Sequence, residues 1–548
     1  MKSFKHIVFY FLSLLICSVG YSQIDKRKEE INISSSFKPS IIKAEKIEFR
    51  PDFIPRDTSA YTFKYEGVKL SFTTPMSGFT IKPLAYVPKV VEVDSNQAAI
   101  QLGYGNLYAP QGAISFSSVK NNQSITANAD YLSMKGKLTD QQHSIGTLGI
   151  GFKKRVSENQ QFTAGVGVED YNYTTYGFVR SSSFPIASKD LKQHVTNIHV
   201  QSSLVNVAGE EGKFATKPTL RLDYTTTNYR FTTTDLVVGM PIEFKWKKKV
   251  HFYANPGFEW VNTKESTLSA VNATLLQVPI GAGVQLNKFA LNANMQPTVV
   301  KNDFQVVPNI ELSYKLKEQN LLLTGGYRNT FEINSFKKLF EINPFIRPSS
   351  NTPIYQNHAF FTGFNVYTSR GLQFKLEAAY VDHQGLPLFF NSGFSGKDFN
   401  VSYESSLKTI ELKSEINYKM SDELEWTSAL KWIHFQKQID YEKPFGMLPF
   451  EMILGGKWNP IKKLSVVFNS QIWAGSYAKN KMSTSLLKMK GAADLNLDFN
   501  YKLNEKWGFW IDLNNIANIQ YQRWNQYTAY GFNFRGGVKY VMGKPKKN

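Results

Sequence analysis

The chain has 548 residues and carries 64 lysines and arginines against 44 aspartates and glutamates, a formal net charge of +20. Its single cysteine excludes a disulfide framework within the chain and a zinc site built from several cysteines. The mean hydropathy is negative at −0.31, yet 14% of the residues are aromatic, which is high for a water-soluble domain.

Residues 1–22 have the composition of a secretory signal peptide. Lys2 and Lys5 precede an apolar run over 7–16, and the small residue Ser22 lies where a signal peptidase would cleave. The apolar run is too short to span a bilayer as a helix, so the pattern favours a cleaved signal over a membrane anchor. We therefore predict export from the cytoplasm.

Cys17 lies inside this segment and raises the alternative of lipoprotein processing. Ile16 occupies the position where a lipobox has a small residue, so the sequence does not favour lipidation. Removal of the signal also removes Lys2 and Lys5, and the charge of the mature chain is then 20 − 2 = +18. In an exported protein such a charge points to anionic lipid or other anionic ligands rather than to nucleic acid.

Residues 23–90 are rich in proline and mixed in charge, and they contain no long alternating segment. Two interpretations of this extension stay open. It is either a periplasmic segment ahead of the main domain or a short, plug-like piece folded into the lumen of that domain.

Residues 91–542 predict an all-β domain, because apolar and polar residues alternate in one segment after another. In KVHFYANPGFEW, for example, Phe252 lies on one face, and His251 and Glu259 lie on the other. A period of two is typical of a β-strand whose faces meet different environments. Aromatic residues near the ends of many apolar faces, such as Trp507, indicate a barrel with lipid outside and water inside.

The sheet is expected to be closed, because an open edge in hydrocarbon leaves backbone groups without partners. Tight polar turns alternate with longer connections, as periplasmic turns and extracellular loops do, and their count predicts about 22 transmembrane antiparallel strands, with a range of roughly 18–22. Both ends of the barrel are then periplasmic, with a basic periplasmic tail at 543–548. The longer connections are predicted at 171–193, 259–275, 332–354, 382–407 and 475–486.

Runs of lysine and arginine lie at the short turns and at the end of the chain, for example at 153–155, 247–249 and 544–547. Such runs are typical of contacts with lipid phosphates, so outer-membrane lipid and lipopolysaccharide are the predicted partners. A docking surface for an acidic periplasmic partner is the alternative. Other outer-membrane proteins and surface lipoproteins are further candidate partners.

The connection at 170–190 is the predicted ligand-binding loop. Aromatic faces together with a fixed cation suit stacking on sugars or gripping an anion. A second loop at 386–399 adds further phenylalanines, and both loops could equally be a protein-docking surface or an aromatic girdle extended above the membrane. The candidate residues are Tyr171, Tyr173, Tyr176, Phe178 and Arg180 in the first loop, with Phe389, Phe390 and Phe394 in the second.

The eight histidines are scattered, with no His-x-x-x-His pair on a helical segment and no acidic cluster at metal-ligand spacing. We therefore predict no catalytic residues, no metal site and no cofactor, and we expect that the protein is not an enzyme. A membrane protease or phospholipase that uses a histidine near the rim is the alternative.

The end of the chain, NNIANIQYQRWNQYTAYGFNFRGGVKYVM, resembles the last hairpin of TonB-dependent outer-membrane receptors. In that family an Asn-rich strand end, here Asn514 and Asn515, leads into a loop that contains tyrosine. A Gly-x-Asn-Phe motif, here Gly531, Asn533 and Phe534, then opens the final strand. EEINISSSFKPSIIKAEKI and LGYGNLYAPQGAISFS resemble a group of such barrels from Bacteroidota, so the resemblance implies the outer membrane of a Gram-negative bacterium.

The family pattern also has elements that are weak in this chain. A receptor of the family carries a large plug domain ahead of its barrel and a short box that pairs with TonB. The extension at 23–90 is too short for a full plug, and EEINIS at 29–34 is only faintly similar to the box.

Two function hypotheses follow from the resemblance and the barrel pattern. The first is an integral outer-membrane barrel for the passage or binding of a small solute or nutrient. The second is a non-transporting barrel that serves as an accessory subunit of an outer-membrane assembly, secretion or surface-lipoprotein complex.

Overall fold

The computed structural model of the protein describes residues 95–543 except 181–185, 207–213, 248, 267–268, 301–302, 317–319, 369–370, 394 and 481–484. The predicted signal peptide, the extension at 23–90 and the basic tail beyond Gly543 lie outside these residues. Among the helices of the described part, none combines the length and the apolar character needed to cross a membrane.

The described residues form a closed antiparallel β-barrel of 22 strands, which confirms the predicted fold class and strand number. The wall consists of 26 strand segments, because four of its strands are each divided in two. The segments of the first part of the chain are β1 (Ser95–Gly105), β2 (Gln111–Lys120), β3 (Gln123–Lys135), β4 (Gln142–Arg155), β5 (Gln160–Thr174), β6 (Lys192–Asn206), β7 (Phe214–Thr216), β8 (Thr219–Thr227), β9 (Phe231–Gly239), β10 (Ile242–Lys247), β11 (Val250–Ala254), β12 (Gly257–Glu265), β13 (Val271–Gln277), β14 (Ile280–Gln285), β15 (Phe289–Val300) and β16 (Asp303–Leu316).

The second part of the chain completes the wall and adds three small hairpins, β20–β21, β26–β27 and β30–β31, that are not part of it. A helix, α1 (Phe336–Ile342), and a 3-10 turn at Ser188–Leu191 also lie in connections. The strands are β17 (Leu321–Ile333), β18 (Ile354–Tyr367), β19 (Leu372–Gln384), β20 (Leu386–Asn391), β21 (Phe399–Glu404), β22 (Leu407–Lys419), β23 (Leu424–Gln438), β24 (Phe450–Ile461), β25 (Leu464–Trp473), β26 (Tyr477–Ala478), β27 (Leu487–Lys488), β28 (Ala492–Lys502), β29 (Trp507–Asn514), β30 (Gln522–Trp524), β31 (Tyr527–Thr528) and β32 (Asn533–Met542).

The barrel closes where its first and last strands meet. β1 pairs antiparallel with β32, from Ala98 opposite Met542 to Gly105 opposite Arg535. β32 pairs on its other edge with β29, so the last strand has a neighbour on both sides. The wall has no free edge at this seam, as a sheet surrounded by hydrocarbon requires.

Prolines explain the four divided strands. Pro218, Pro241, Pro256 and Pro279 lie between β7 and β8, β9 and β10, β11 and β12, and β13 and β14. A proline has no N–H for the ladder, but its carbonyl still accepts a hydrogen bond. The Lys217 N–H, for example, donates to the Pro241 carbonyl at 3.1 Å. The pairing with the neighbouring strand keeps the same register on both sides of each proline, so the two segments form one strand of the wall.

Side chains of the wall alternate between an apolar outer surface and a polar lumen, as predicted. On β32, Phe534 is 45% exposed on the outer surface, whereas Asn533 and Arg535 on the opposite face are buried. Phe252 and Phe360 are likewise exposed on the outer surface of their strands. A band of exposed large apolar residues is stable where lipid surrounds it.

When the 22 wall strands are counted in chain order, each long connection follows an odd-numbered strand. Because neighbouring strands are antiparallel, all of these connections lie at the same end of the barrel. The prediction of a long connection at 259–275 is wrong, since β12 continues to Glu265 and β13 begins at Val271. Asn262 and Lys264 face outward on this strand, so the apolar alternation stops before the strand ends. The observed long connections are 175–191, 334–353, 385–406, 439–449, 474–491 and 515–532.

An arginine scan of one strand tests which face meets lipid. Phe116 is 41% exposed on the outer surface near the middle of β2, and Ser115 faces the lumen beside it. We expect Phe116→Arg to lower the free energy of unfolding by about 2–4 kcal/mol, the cost of a cation near the bilayer midplane. Ser115→Arg should be nearly neutral. Urea unfolding in phospholipid vesicles measures both, and equal losses would contradict this orientation.

Candidate functional site at the barrel mouth

The described residues of the six long connections fold together inside the mouth of the barrel, and we call them the loop layer. Apolar side chains from several of them pack against residues on the lumen face of the wall. Those wall residues include Tyr173 of β5, Val195 of β6 and Phe231 of β9, all at most 6% exposed. The loop layer therefore lies within the mouth and is anchored to its inner surface.

The β20–β21 hairpin is the centre of the loop layer. It exchanges backbone hydrogen bonds with four other connections, so it links loops that arise from distant parts of the wall. The side-chain amide of Asn525 adds a fifth link, because it donates to Asn391 Oδ1 at 2.9 Å. The backbone donors and acceptors are Val179 to Ser395 (3.1 Å), Phe399 to Phe345 (3.0 Å), Phe389 to Phe445 (3.3 Å) and Asn391 to Lys479 (3.2 Å).

Aromatic side chains fill the space between the hairpin and its neighbours. Trp524 and Tyr527, in the connection before β32, are 2% and 0% exposed. Tyr527 stacks on Phe345 with ring centroids 3.6 Å apart, and Trp524 contacts Phe389 and Phe399 edge-on. Large rings bury much apolar area at a small cost in side-chain entropy, so this cluster holds the loop layer together.

Glu404, at the end of β21, fixes the connection at 439–449. Its fully buried carboxylate accepts hydrogen bonds from the backbone N–H groups of Ile439, Asp440 and Tyr441, at 2.9, 2.9 and 3.1 Å. Three donors that converge on one carboxylate stabilise both the charge and the turn. The hairpin thus determines the conformation of a second loop.

Asp398 places a carboxyl group inside the aromatic cluster. It is 5% exposed, and within the described residues its Oδ1 accepts no hydrogen bond. Burial raises the pKa of Asp398, and the nearby charges of Lys397 and Arg347 offset that effect only in part. Ionised Asp398 therefore weakens the packing of the loop layer.

Helix α1 lies against the inner wall because its apolar residues share one face. Phe336, Leu339 and Phe340 have the i, i+3, i+4 spacing of a buried helical stripe and are at most 5% exposed. Phe336 contacts Phe231 of the wall, with ring centroids 5.1 Å apart. The backbone of Ser335 is extended and begins the helix there.

Two consecutive lysines connect α1 to the wall. Lys337 Nζ lies 2.8 Å from Glu169 Oε2 of β5, and Lys338 Nζ lies 2.8 Å from Glu259 Oε1 of β12. Burial lowers the pKa of Lys337, but the carboxylates of Glu341 and Glu169 more than compensate and raise it above its ordinary value. Lys337 is therefore charged at neutral pH, and α1 is held by ion pairs to well-separated strands.

Four carboxylates line the wall under α1, and we call them the acidic arc: Glu169, Asp223, Asp235 and Glu259. Asp223 and Asp235 are direct cross-strand partners on β8 and β9. Asn197 of β6 pairs with Glu169 and donates to Asp223 Oδ1 at 3.4 Å. Among the described residues, no three His, Cys, Asp or Glu side chains are grouped to hold a metal ion. Arg221 also pairs with Asp223, its Nε 2.6 Å from Asp223 Oδ2. The arc is thus a row of carboxylates along the wall, part of whose charge is neutralised by cations of the chain.

The structure divides the five predicted ligand-binding residues into two groups. Tyr171 and Tyr173 lie on β5, where both contact Phe340 of α1, and Tyr176 packs against Tyr527 with centroids 5.1 Å apart. These three rings therefore belong to the packing of the loop layer.

Phe178 and Arg180 form the second group, at the rim. The Arg180 guanidinium lies 4.6 Å from the Phe178 ring centroid and 2.8 Å from Asp140 Oδ2. Arg180 is about half exposed, so it remains accessible. A ligand-binding role for this loop stays a prediction.

In the second predicted loop, Phe389 and Phe390 are 5% and 4% exposed and belong to the β20–β21 hairpin. Phe394 lies outside the described residues. Phe389 and Phe390 therefore pack the interior of the loop layer.

Sequence reasoning did not identify Lys337, Lys338, Glu404 or Asp398. Each has its role through a partner far away in the chain, as in the pair Lys337–Glu169, so no local pattern marks it. For Lys337 and Lys338 alone the sequence holds a weak signal, because the two lysines lie in a segment whose apolar residues have helical spacing.

His383 shows how the wall uses a histidine. Its imidazole is hydrogen-bonded with the hydroxyl of Tyr355 at 2.6 Å and with Glu411 Oε1 at 3.1 Å. All three side chains are at most 6% exposed. The group is closed to solvent and stabilises the neighbouring strands β18, β19 and β22.

No protein-family model matches the chain, and no curated protein matches it. Its structure is similar to that of the FrpB iron transporter from Neisseria meningitidis, with a TM-score of 0.63, 10% sequence identity and 82% of each chain covered. The siderophore receptor PirA from Acinetobacter baumannii has a TM-score of 0.61 and 9% identity over 82% of this chain and 80% of that chain.

A mutant of the ferric enterobactin receptor PfeA from Pseudomonas aeruginosa is also similar, with a TM-score of 0.59 and 10% identity over 82% of this chain and 80% of that chain. At these identities the likeness concerns the fold. The neighbours are transport receptors and not enzymes, in agreement with the prediction that this chain is not an enzyme.

Replacing Glu404 tests its control of the neighbouring loop. Glu404→Ala leaves three backbone donors without their acceptor, at a cost of about 1.5–3 kcal/mol for a hydrogen bond to a charged group. We expect faster amide hydrogen exchange confined to 439–449 in the detergent-solubilised protein. Glu442→Ala is the matched control, because that exposed carboxylate pairs only at the surface with Lys479. Unchanged exchange in Glu404→Ala would refute the role.

Asp398 predicts a pH dependence of the loop layer. Since burial raises its pKa, the folded state favours the protonated acid, so stability is gained as the pH falls through that pKa and lost as it rises above it. Protection factors of β20–β21 should therefore be larger near about pH 4, close to the ordinary pKa of aspartate, than near about pH 8. Asp398→Asn should remove the dependence and keep the protection of β20–β21 high at both pH values. The control Asp422→Asn, at an exposed short turn where Asp422 pairs with Lys419, should retain the dependence. A pH dependence that persists in Asp398→Asn would contradict the assignment.

Proposed function

We propose that this chain is an integral outer-membrane barrel, similar to TonB-dependent receptors, that binds or passes a small solute or nutrient. The observation that carries the proposal is a closed 22-strand barrel whose mouth is filled by its own inward-folded loops. A barrel of this strand number encloses a wide lumen, and a purely structural subunit does not need one.

The structural neighbours support this choice over the accessory-subunit alternative. They include two siderophore receptors and an iron transporter, and they share the barrel over about four fifths of this chain. None of the contacts in the described residues favours an assembly or secretion role. The kind of solute that this chain binds depends on its own residues, and it is not inferred from the ligands of those neighbours.

The predicted domain organisation belongs to the same proposal. Residues 1–22 act as the export signal, 23–90 as a periplasmic or plug-like extension, 91–542 as the barrel, and 543–548 as a basic periplasmic tail. Outer-membrane lipid and lipopolysaccharide are the partners of the outer surface, and other outer-membrane proteins or surface lipoproteins are partners of the loops. A Bacteroidota source and coupling to TonB rest on the sequence resemblance.

At the mouth, Phe178 supplies a half-buried ring and Arg180 an exposed cation. Tyr171, Tyr173 and Tyr176 pack in the interior of the loop layer. This order suits capture at the rim followed by movement of the loop layer.

Planar-bilayer recordings test the proposal. We expect the full-length protein to be closed or to open rarely, because the loop layer fills the mouth. A variant in which 334–353 and 386–404 are replaced by short Gly-Ser linkers, and which also lacks 23–90, should give stable single-channel steps.

Heat-modifiable electrophoretic mobility shows whether that variant still forms a barrel. A folded variant without conductance, together with copurification of the native chain in fixed ratio with other outer-membrane proteins, would contradict transport and favour the accessory role.

A further inference from the structure

The acidic arc is a locally negative site in a strongly basic protein. Its four carboxylates face the lumen from β5, β8, β9 and β12. β8 and β12 both pair with β9, and only β6 lies between β5 and β8. The chain as a whole carries a net charge of +20. Arg221 pairs with Asp223 at 2.6 Å, so the wall itself offers four carboxylates against this one guanidinium, a charge opposite to that of the protein.

Amino groups of the chain itself occupy part of the arc. Lys337 and Lys338 place their ammonium groups 2.8 Å from Glu169 and 2.8 Å from Glu259. The Glu259 side chain is only 12% exposed and the Lys337 side chain only 8%. Their partners Lys338 and Glu169 are 31% and 27% exposed, so both ion pairs are partly buried, charge-assisted contacts.

Asp235, between the two lysine contacts, is incompletely satisfied. It is 6% exposed, and its Oδ1 accepts no hydrogen bond within the described part of the chain. The Ser335 hydroxyl and the Lys338 ammonium both lie near Asp235, but the 2.8 Å contact of Lys338 is with Glu259. A buried carboxylate oxygen without a donor is costly, so this position has unused capacity for a cation.

The arrangement of the arc distinguishes an amine from a metal ion. A metal ion needs several ligands at one point, and the described residues contain no such group of His, Cys, Asp or Glu. The arc instead offers carboxylates at separate positions along the wall. Protonated amines spaced along a flexible chain match such a row.

We propose that the acidic arc is a binding site for a solute with two or more protonated amines, and that Lys337 and Lys338 occupy it when the loop layer is closed. This inference rests on the proposed function, since it names the class of solute that the receptor takes. A polyamine displaces the lysines from Glu169 and Glu259 and donates a hydrogen bond to the Asp235 oxygen that accepts none within the described residues. Because the lysines belong to α1, binding releases one anchor of the loop layer from the wall.

Calorimetric titration of the full-length protein in detergent tests the site directly. Spermidine is the probe, and citrate at the same ionic strength is the anionic comparison. We expect spermidine to bind with a stoichiometry of about one and citrate not to bind, since opposite charges alone are attracted to the arc.

Two sets of variants test the residues. Asp235→Asn with Glu259→Gln should weaken spermidine binding at least about tenfold, a difference of about 1.4 kcal/mol. Lys337→Met with Lys338→Met should strengthen it, because the internal competitors are gone. A variant that had merely lost structure would bind spermidine more weakly, so tighter binding by the lysine variant cannot come from loss of structure. Glu442→Gln, which removes an exposed carboxylate paired with Lys479, is the matched control and should leave binding unchanged.

Three results would overturn the inference: spermidine binding no tighter than citrate binding, equal weakening by Glu442→Gln and by the arc variant, or no strengthening in the lysine variant. Barrel formation of every variant is checked by heat-modifiable mobility. The bilayer recordings separate this inference from the proposed function. If the trimmed barrel conducts and spermidine does not bind, only the amine site fails. If spermidine binds but no folded variant conducts, the transport function fails.

Discussion

Antiparallel hydrogen bonding around a complete ring is the constraint on which this structure depends. In hydrocarbon every backbone group needs a partner, and a sheet meets that condition only if its last strand returns to its first. The pairing of β1 with β32 provides this closure between residues more than 400 positions apart in the chain. The alternating faces, the even strand number and the position of all long connections at one end follow from it.

A ring of 22 strands leaves an interior that must be filled, narrowed or left open, and here the long loops enter the mouth. The β20–β21 hairpin is central because it provides backbone partners for loops that have no sheet of their own. Ion pairs and a buried carboxylate complete the assembly, as in the contact of Lys337 with Glu169 and the turn held by Glu404. Apolar packing gives the loop layer its cohesion, while these charged contacts join its loops to one another and to the wall.

The outer wall and the loop layer differed in how well they could be predicted. The wall follows a local rule, since residues two apart share a face, and Phe252 and Phe534 lie where the alternation puts them. The rule failed at 259–275 because β12 extends beyond the apolar band, where Asn262 and Lys264 face outward and apolar alternation no longer marks the strand. For the same reason Tyr171 and Tyr173, expected in a loop, lie on the end of β5.

Alternating polarity and turn spacing, which are properties of neighbouring residues, determined from sequence alone that this is a closed antiparallel barrel of about 22 strands with an apolar outside. The identity of the residues inside the mouth was decided by tertiary structure. Lys337 is 168 positions from Glu169, and Asn525 is 134 positions from Asn391. Such pairs form only after the ring has closed and has brought distant loops into one small volume, so no local pattern in the chain could mark them.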